Sequence, residues 1–286
     1  MSSVKKKKIN DFKVKAVNLS DVKEVYNLPV KGAKLGLGLL HNTFIVAPKN
    51  SGKSHLIYRI LKATTTPETK IVIICPTHDK DPLYKKLIKD FTNKGYDISS
   101  YYEIDDILPQ ILEEDELEDD ISSSEDEEVE PPSVYFSPDM NDDFQEYEFV
   151  SKPEEEKIKS KKKKKKKKYQ VPKRIIIFDD LSQGCRNPSL DLWLKRHRHY
   201  NTSNIISVQY YHDCLPSSYR QADNFIAFPK LSKKKIKELH HLSDSNLTLS
   251  KFSDLYYDAT SKKYNFFNIS LRNNTYKKNF DELYLL

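Results

Sequence analysis

The chain has 286 residues, a net charge of +6 and a hydrophobic share of 37%. This length can bury a sizeable core in one large domain or two small ones, but the low hydrophobic share indicates that part of the chain does not fold. The three cysteines lie far apart without C-x-x-C spacing, which disfavours a disulfide framework or a zinc site and favours a reducing compartment. The most apolar region, residues 35–46, is interrupted by polar residues, so we expect neither a signal peptide nor a membrane span.

Residues 1–30 are rich in lysine and are predicted to form a basic arm. The first clear pattern lies between Thr43 and Lys62, where an apolar run precedes a loop and a helical apolar pattern follows it. This succession predicts a buried strand, a tight loop and a helix. The loop fits the G-x-x-x-x-G-K-[ST] pattern of phosphate-binding loops except at its first position, where Ala47 replaces glycine. The plainer alternative is a surface turn followed by a helix.

Each part of the predicted phosphate loop has an expected role in binding ATP and Mg²⁺. Its residues are Ala47, Pro48, Lys49, Asn50, Ser51, Gly52, Lys53 and Ser54. Backbone N–H groups at the start of the helix would surround the β-phosphate. Lys53 would reach the β- and γ-phosphates, and the Ser54 hydroxyl would ligate Mg²⁺. The methyl group of Ala47 restricts a positive φ at the entrance of the loop.

A second apolar strand is predicted at residues 70–75, whose β-branched side chains indicate burial on both faces of a parallel sheet. Helical patterns follow at residues 83–91 and 104–112. We therefore assign residues 31–112 to the first part of a nucleotide-binding domain.

Residues 113–170 interrupt that domain. Positions 113–168 hold 20 acidic and 11 basic residues, including an unbroken lysine block at 161–168, and blocks of like charge this long predict a disordered insertion. The lysine block is either a DNA-tethering or nuclear-localisation segment or simply a solvated run. The rest of the chain carries +15, which favours a polyanionic partner such as nucleic acid; the alternative is a solvated lysine-rich surface.

The domain resumes in residues 171–286 with four apolar residues followed by two carboxylates, the form of a Walker B strand. Asp179, at the end of that strand, would hold Mg²⁺ through water beside Ser54. Asp180 would orient or deprotonate the attacking water. Alternatively, the two aspartates open a turn.

Further elements complete a repeated strand and helix pattern. Helices are predicted at residues 190–198 and 233–242, strands at 204–209 and 224–228, and a hairpin at 256–269. Together with the strands beginning near 43, 70 and 174, they predict a doubly wound, mainly parallel α/β fold with the nucleotide at the carboxyl edge of the sheet.

Four segments in this order, APKNSGKS, IIIFDDL, RHRHYNTSNIISVQ and LPSSYRQADNFIAF, resemble the genome-packaging ATPases of large DNA viruses and virophages, the poxvirus-type branch of the FtsK/HerA superfamily. The resemblance covers about residues 40–112 and 172–270. It implies a P-loop sheet of the additional-strand type, ATP hydrolysis with Mg²⁺, and translocation of double-stranded DNA into a capsid. It also implies a homo-oligomeric ring, capsid or packaging-vertex partners, and a place in the virion or the viral factory of the host cytoplasm.

The resemblance assigns roles to residues beyond the phosphate loop. It makes Gln209 the sensor of the γ-phosphate, although an amide there is also able to cap the following turn. It makes Arg198 an arginine that acts in trans, with Arg220 as a second candidate and Arg196 as a third. Each arginine is alternatively a phosphate contact to DNA or a solvated residue.

Two other functions fit the same motifs. One is a helicase or another nucleic-acid-dependent P-loop NTPase, although the further helicase motifs expected of a strand-separating enzyme are not found. The other is a non-hydrolysing, nucleotide-gated DNA-binding or capsid-scaffolding protein, in which Asp180 has no chemical role.

Overall fold

A nine-stranded sheet forms the centre of the protein. The structure, a computed structural model, describes residues 28–105, 107–111 and 169–285. Residues 1–27 of the predicted arm (1–30) and residues 113–168 of the predicted insertion (113–170) therefore lie outside the described residues. The strands are β1 (Asn42–Val46), β2 (Lys70–Ile74), β3 (Ile98–Tyr101), β4 (Arg174–Asp179), β5 (Thr202–Val208), β6 (Asn224–Ala227), β7 (Phe267–Ser270), β8 (Thr275–Lys278) and β9 (Glu282–Leu283).

The strand order is β3-β2-β4-β5-β1-β6-β7-β8-β9. The first six strands are parallel, and the last three are added antiparallel. Strand β5 lies between β1 and β4, with Ile206 opposite both Phe44 and Phe178. The sheet is therefore doubly wound, mainly parallel and of the additional-strand type, as predicted. All six parallel strands end at one edge, which we call the carboxyl edge; the opposite edge is the amino edge.

Helices cover both faces of this sheet because alternate residues of each buried strand point to opposite sides. In β1, Phe44 belongs to the apolar cluster on one face and Ile45 to the cluster on the other. Buried residues of α1 and α2 join Ile45, and those of α3 to α6 join Phe44. The helices that begin and end within the described residues are α1 (Lys53–Thr64), α2 (Pro82–Thr92), α3 (Pro188–Arg196), α4 (Pro216–Tyr219), α5 (Lys233–Leu242) and α6 (Leu249–Ala259). Residues 108–111, within the helix predicted at 104–112, are also helical.

The predicted hairpin at residues 256–269 is wrong in position. Residues 249–259 form helix α6, because Phe252, Tyr256 and Ala259 recur at helical spacing and are all buried. The Thr248 side chain caps this helix by accepting a hydrogen bond from the backbone N–H of Lys251. The C-terminal hairpin lies further along the chain, where β7 pairs with β8.

The strands predicted near residues 43, 70, 174, 204 and 224 are confirmed. The sequence did not predict strand β3, because this strand has only four residues, ISSY, and lies half-buried at the edge of the parallel part of the sheet. Helix α3 starts two residues earlier than predicted, at Pro188, where the Asn187 side chain caps its first turn.

Candidate nucleotide-binding site

The predicted phosphate loop connects the end of β1 to the start of α1. Its entrance is fixed by the backbone N–H of Ala47, which donates to the Val208 carbonyl at 3.0 Å. Positive φ values occur later in the loop, at Asn50 (59°) and Gly52 (96°), and not at Ala47. The first position of this loop therefore does not need the backbone conformations that only glycine adopts easily. A Cβ on Gly52 would also approach the Tyr264 ring to 3.1 Å, so this position requires glycine for two reasons.

Helix α1 begins at Lys53, so the loop delivers the first backbone N–H groups of a 12-residue helix to the carboxyl edge. These groups have no partner within the helix, and the helix dipole adds positive potential around them. Ser54 is half-buried in the same first turn. This end of α1 is therefore suited to bind an anionic group.

The Lys53 ammonium meets both predicted Walker B carboxylates. Its Nζ lies 3.0 Å from Asp179 Oδ1 and 3.7 Å from Asp180 Oδ1. Burial alone lowers the pKa of Lys53, but Asp179 and, to a smaller extent, the charge of Asp180 together outweigh that effect and raise the pKa above its ordinary value. The ammonium is therefore charged, and 14% of the side chain is exposed, which leaves it accessible to a ligand.

A second partner holds Asp179 from the opposite side. Asp179 is the last residue of β4, and only 3% of its side chain is exposed. The phenol of Tyr84, in α2, donates a hydrogen bond of 2.7 Å to Asp179 Oδ2. Burial and then the charge of Asp179 raise the pKa of Tyr84 well above its ordinary value, which keeps the phenol protonated as a donor.

Asp180 and Gln209 also meet at the carboxyl edge. Asp180 has a positive φ of 56°, a conformation that aspartate tolerates better than most residues, and its side chain is 34% exposed. Gln209 follows β5 and donates from Nε2 to Asp180 Oδ1 at 2.9 Å. The backbone N–H groups of Gln209 and Tyr210 are capped instead by Asp213 Oδ2, at 3.2 and 2.9 Å. The Gln209 amide is thus turned toward the site rather than used to cap the following turn.

The three candidate arginines lie at the amino edge, far from the phosphate loop of their own chain. Arg196 and Arg198 precede β5, and Arg220 precedes β6. Arg198 Nη2 donates to Asp223 Oδ1 at 2.7 Å, and the Arg198 side chain is 56% exposed. Arg220 is exposed. A contribution of these arginines to catalysis would have to be made to the site of a neighbouring subunit.

Sequence patterns missed Tyr84, which the fold brings to the site. In the sequence it is one apolar-face residue of an amphipathic helix and gives no sign of its partner. Asp179 is 95 positions away in the chain, and only the pairing of β2 with β4 brings the helix after β2 over the end of β4.

In the part of the chain that the structure describes, no group of three or more His, Cys, Asp or Glu side chains is placed to hold a metal ion. Within residues 28–105, 107–111 and 169–285, none of the helices combines the length and the hydropathy of a transmembrane span.

Comparison with known proteins gives structural similarity only. No protein-family model and no curated protein matches the chain. Among solved structures, the genome packaging NTPase B204 from Sulfolobus turreted icosahedral virus 2, in complex with AMPPCP, aligns over 84% of this chain and 97% of its own, at 18% identity and a TM-score of 0.49. The DNA-packaging ATPase B204 from Sulfolobus turreted icosahedral virus aligns over 83% and 95%, at 18% identity and a TM-score of 0.47. This is a likeness of fold alone.

Proposed function

We propose that this protein is an ATP-hydrolysing motor that moves double-stranded viral DNA into a preformed capsid. The observation that best supports the hydrolytic part is the meeting of Lys53 with Asp179 and Asp180 at the carboxyl edge. A lysine at the start of a helix, beside carboxylates at the end of a buried parallel strand, supplies what phosphoryl transfer requires from a protein.

Ser54 and Asp179 would hold Mg²⁺ in this site. Both offer oxygen atoms, which Mg²⁺ prefers, and Mg²⁺ commonly binds through one or two carboxylates together with phosphate oxygens. The Lys53 ammonium at 3.0 Å shows that Asp179 already has a cation as its neighbour. When bound, the ion would neutralise charge on the transferred phosphoryl group.

The other side chains of the site bind the phosphates, accept a proton and sense the nucleotide. Lys53 exchanges its two carboxylate partners for the β- and γ-phosphates of ATP. Asp180, partly exposed and free of the metal, accepts a proton from the attacking water. Gln209, which donates a hydrogen bond to Asp180, links that carboxylate to the γ-phosphate and so senses whether ATP is present.

The DNA-transporting part of the proposal rests on charge and on the resemblance of the four motifs. The chain carries +15 outside residues 113–168, which suits a phosphate backbone. In a homo-oligomeric ring, the amino edge of one subunit would present Arg198 or Arg220 to the nucleotide of the next. Such a motor would act with capsid or packaging-vertex proteins, in the virion or the viral factory of the host cytoplasm.

ATP turnover with and without duplex DNA tests this function. The wild type should hydrolyse ATP faster with DNA, and Lys53→Ala should lose at least about 100-fold, because it removes the charge that offsets the phosphates. Lys62→Ala, an exposed lysine at the other end of the same helix, is the control and should keep wild-type turnover. Separation of DNA strands would favour a helicase, and nucleotide binding without turnover would favour a nucleotide-gated binding protein.

Rings that contain two different variants test whether Arg198 acts on the nucleotide of a neighbouring subunit. Arg198→Ala and Lys53→Ala subunits should each be inactive alone, and a mixture should recover part of the activity, because some junctions then combine an intact Arg198 with an intact phosphate loop. The same mixture with Arg220→Ala examines the second candidate. In rings proven to contain both variants, absence of recovery would exclude a role in trans for the arginine tested.

A further inference from the structure

The Tyr84 phenol is a buried group that core packing alone does not explain. Tyr84 is 1% exposed, and its hydroxyl oxygen lies 2.7 Å from Asp179 Oδ2. From this geometry we infer that Tyr84 is a positioning residue that holds the Asp179 carboxylate in the orientation needed to bind the metal. This inference rests on the proposed function, since it concerns the same site.

The two oxygens of Asp179 have different partners. Lys53 approaches Oδ1 from the phosphate loop, and Tyr84 donates to Oδ2 from α2. If Lys53 moved to the phosphates of ATP, Oδ1 would lose this neighbour while Oδ2 kept its hydrogen bond from the phenol. Oδ1 would then be the oxygen of Asp179 that is available to Mg²⁺, and the phenol would hold the orientation of the carboxylate.

Both supports of Asp179 belong to regular secondary structure. Its backbone belongs to β4, whose residues are all buried, and Tyr84 lies in the first turn of α2. That turn is anchored by the Asp81 side chain, which accepts a hydrogen bond from the backbone N–H of Leu83 at 2.8 Å. Partners that orient a metal-binding carboxylate typically change metal affinity or activity by about 10- to 100-fold when they are removed.

The chain also contains a matched tyrosine without this role. Tyr96 packs in the same apolar cluster as Tyr84 and is 7% exposed. Its hydroxyl donates at 3.1 Å to the Thr65 carbonyl, which follows the end of α1 at the amino edge. Tyr96→Phe therefore removes a buried phenol hydrogen bond from the same half of the core without touching the site.

The test measures the affinity of a fluorescent ATP analogue in EDTA and in saturating Mg²⁺, together with kcat and KM. The gain in affinity that Mg²⁺ confers should fall about tenfold in Tyr84→Phe, and kcat should fall by a similar factor. The affinity in EDTA should stay at the wild-type value, because the phosphate loop is intact. Tyr96→Phe should change neither the Mg²⁺ gain nor kcat.

Two results would overturn the role of Tyr84 alone. In the first, Mg²⁺ increases the affinity of the wild type for the analogue, and Tyr84→Phe shows the same increase. The other is an equal loss of affinity in EDTA and in Mg²⁺, which would mean that the phenol supports packing of the loop rather than the carboxylate. A wild type that binds no nucleotide under either condition would overturn the proposed function itself, and with it the role of Tyr84.

Discussion

The two edges of the sheet use polar residues in opposite ways. At the carboxyl edge, charged side chains gather around partly exposed positions, and Lys53 is shared between two carboxylates. At the amino edge, polar groups are buried and satisfy one another: Asp223 accepts from the backbone N–H of Asn42 at 2.9 Å and from Arg198 at 2.7 Å. At the carboxyl edge, charge therefore remains available to a ligand, whereas at the amino edge the charged groups are used in contacts within the fold.

The amino-edge network continues into the sheet. The Asn42 amide donates to the carbonyls of Leu194 and Gln221, both at 2.9 Å, and its oxygen accepts from Asn204 at 2.7 Å. The Trp193 indole N–H donates to Asn204 Oδ1 at 2.9 Å. A network in which each buried group has partners stabilises one arrangement of the strands. We therefore expect mutations in this buried network to change stability and mutations at the carboxyl edge to change chemistry, whereas the exposed arginines of the amino edge are proposed to act on a neighbouring subunit.

Asp180→Asn, at the carboxyl edge, should have the largest effect. Hydrolysis should fall by about 100-fold or more, because an amide cannot accept the proton of the attacking water. Affinity for ATP should stay nearly unchanged, which equilibrium binding of a fluorescent analogue will show. An equal loss of affinity would instead make Asp180 a metal ligand.

Asp223→Ala should lower stability without changing the affinity for ATP. It leaves the buried backbone N–H of Asn42 without its acceptor, and we expect a loss of about 2 kcal/mol in the free energy of unfolding. Arg198→Ala is the matched control, because that side chain is half exposed and its pair should contribute less than about 1 kcal/mol. Urea unfolding measures both, and a weakened ATP affinity in folded Asp223→Ala would show that the two edges are coupled.

His41 should make stability depend on pH through the amino edge. Burial, opposed by Asp223 and assisted by His197 and Arg272, lowers the pKa of His41 from 6.5 to about 4. Because the folded pKa is the lower one, the stabilisation is present above pH 6.5 and is lost as the pH falls toward 4. Between pH 7 and pH 5 this corresponds to about 2 kcal/mol.

Urea unfolding of the wild type and of His41→Gln at both pH values measures this contribution. The variant should lose less stability on acidification than the wild type, and His199→Gln, at an exposed position, corrects for the replacement of a histidine as such. Parallel losses in the wild type and His41→Gln would contradict the assignment.

The smallest effect is expected from replacing residues 113–168 with a short Gly/Ser linker. The chain returns at the amino edge, where the backbone N–H of Gln170 donates to the Pro29 carbonyl at 3.0 Å and Lys31 Nζ contacts the Thr65 carbonyl. Basal ATP turnover should therefore stay close to that of the wild type, and DNA binding should weaken mainly at low salt. Collapse of turnover in a folded variant would place the segment in the catalytic domain.

The sequence by itself determined the elements whose signals are local. The predicted phosphate loop is a contiguous motif, and the strand, loop and helix that it implies are present. The strands near residues 43, 70, 174, 204 and 224 are contiguous apolar runs, so their neighbours in the chain are enough to predict them. The carboxylates of Asp179 and Asp180 follow directly from the end of such a run. In the segment of residues 256–269, by contrast, the apolar residues fit both an alternating and a helical period, and a hairpin was predicted where α6 ends.

Tertiary structure alone decided which distant residues meet. The insertion of β5 between β1 and β4 puts Gln209 within 2.9 Å of Asp180, and the pairing of β2 with β4 puts the Tyr84 phenol on Asp179. It also placed Arg198 on Asp223 at the amino edge rather than near the phosphate loop. Strand order has no local sequence signal, because it is set by long-range pairing and by the burial of whole faces.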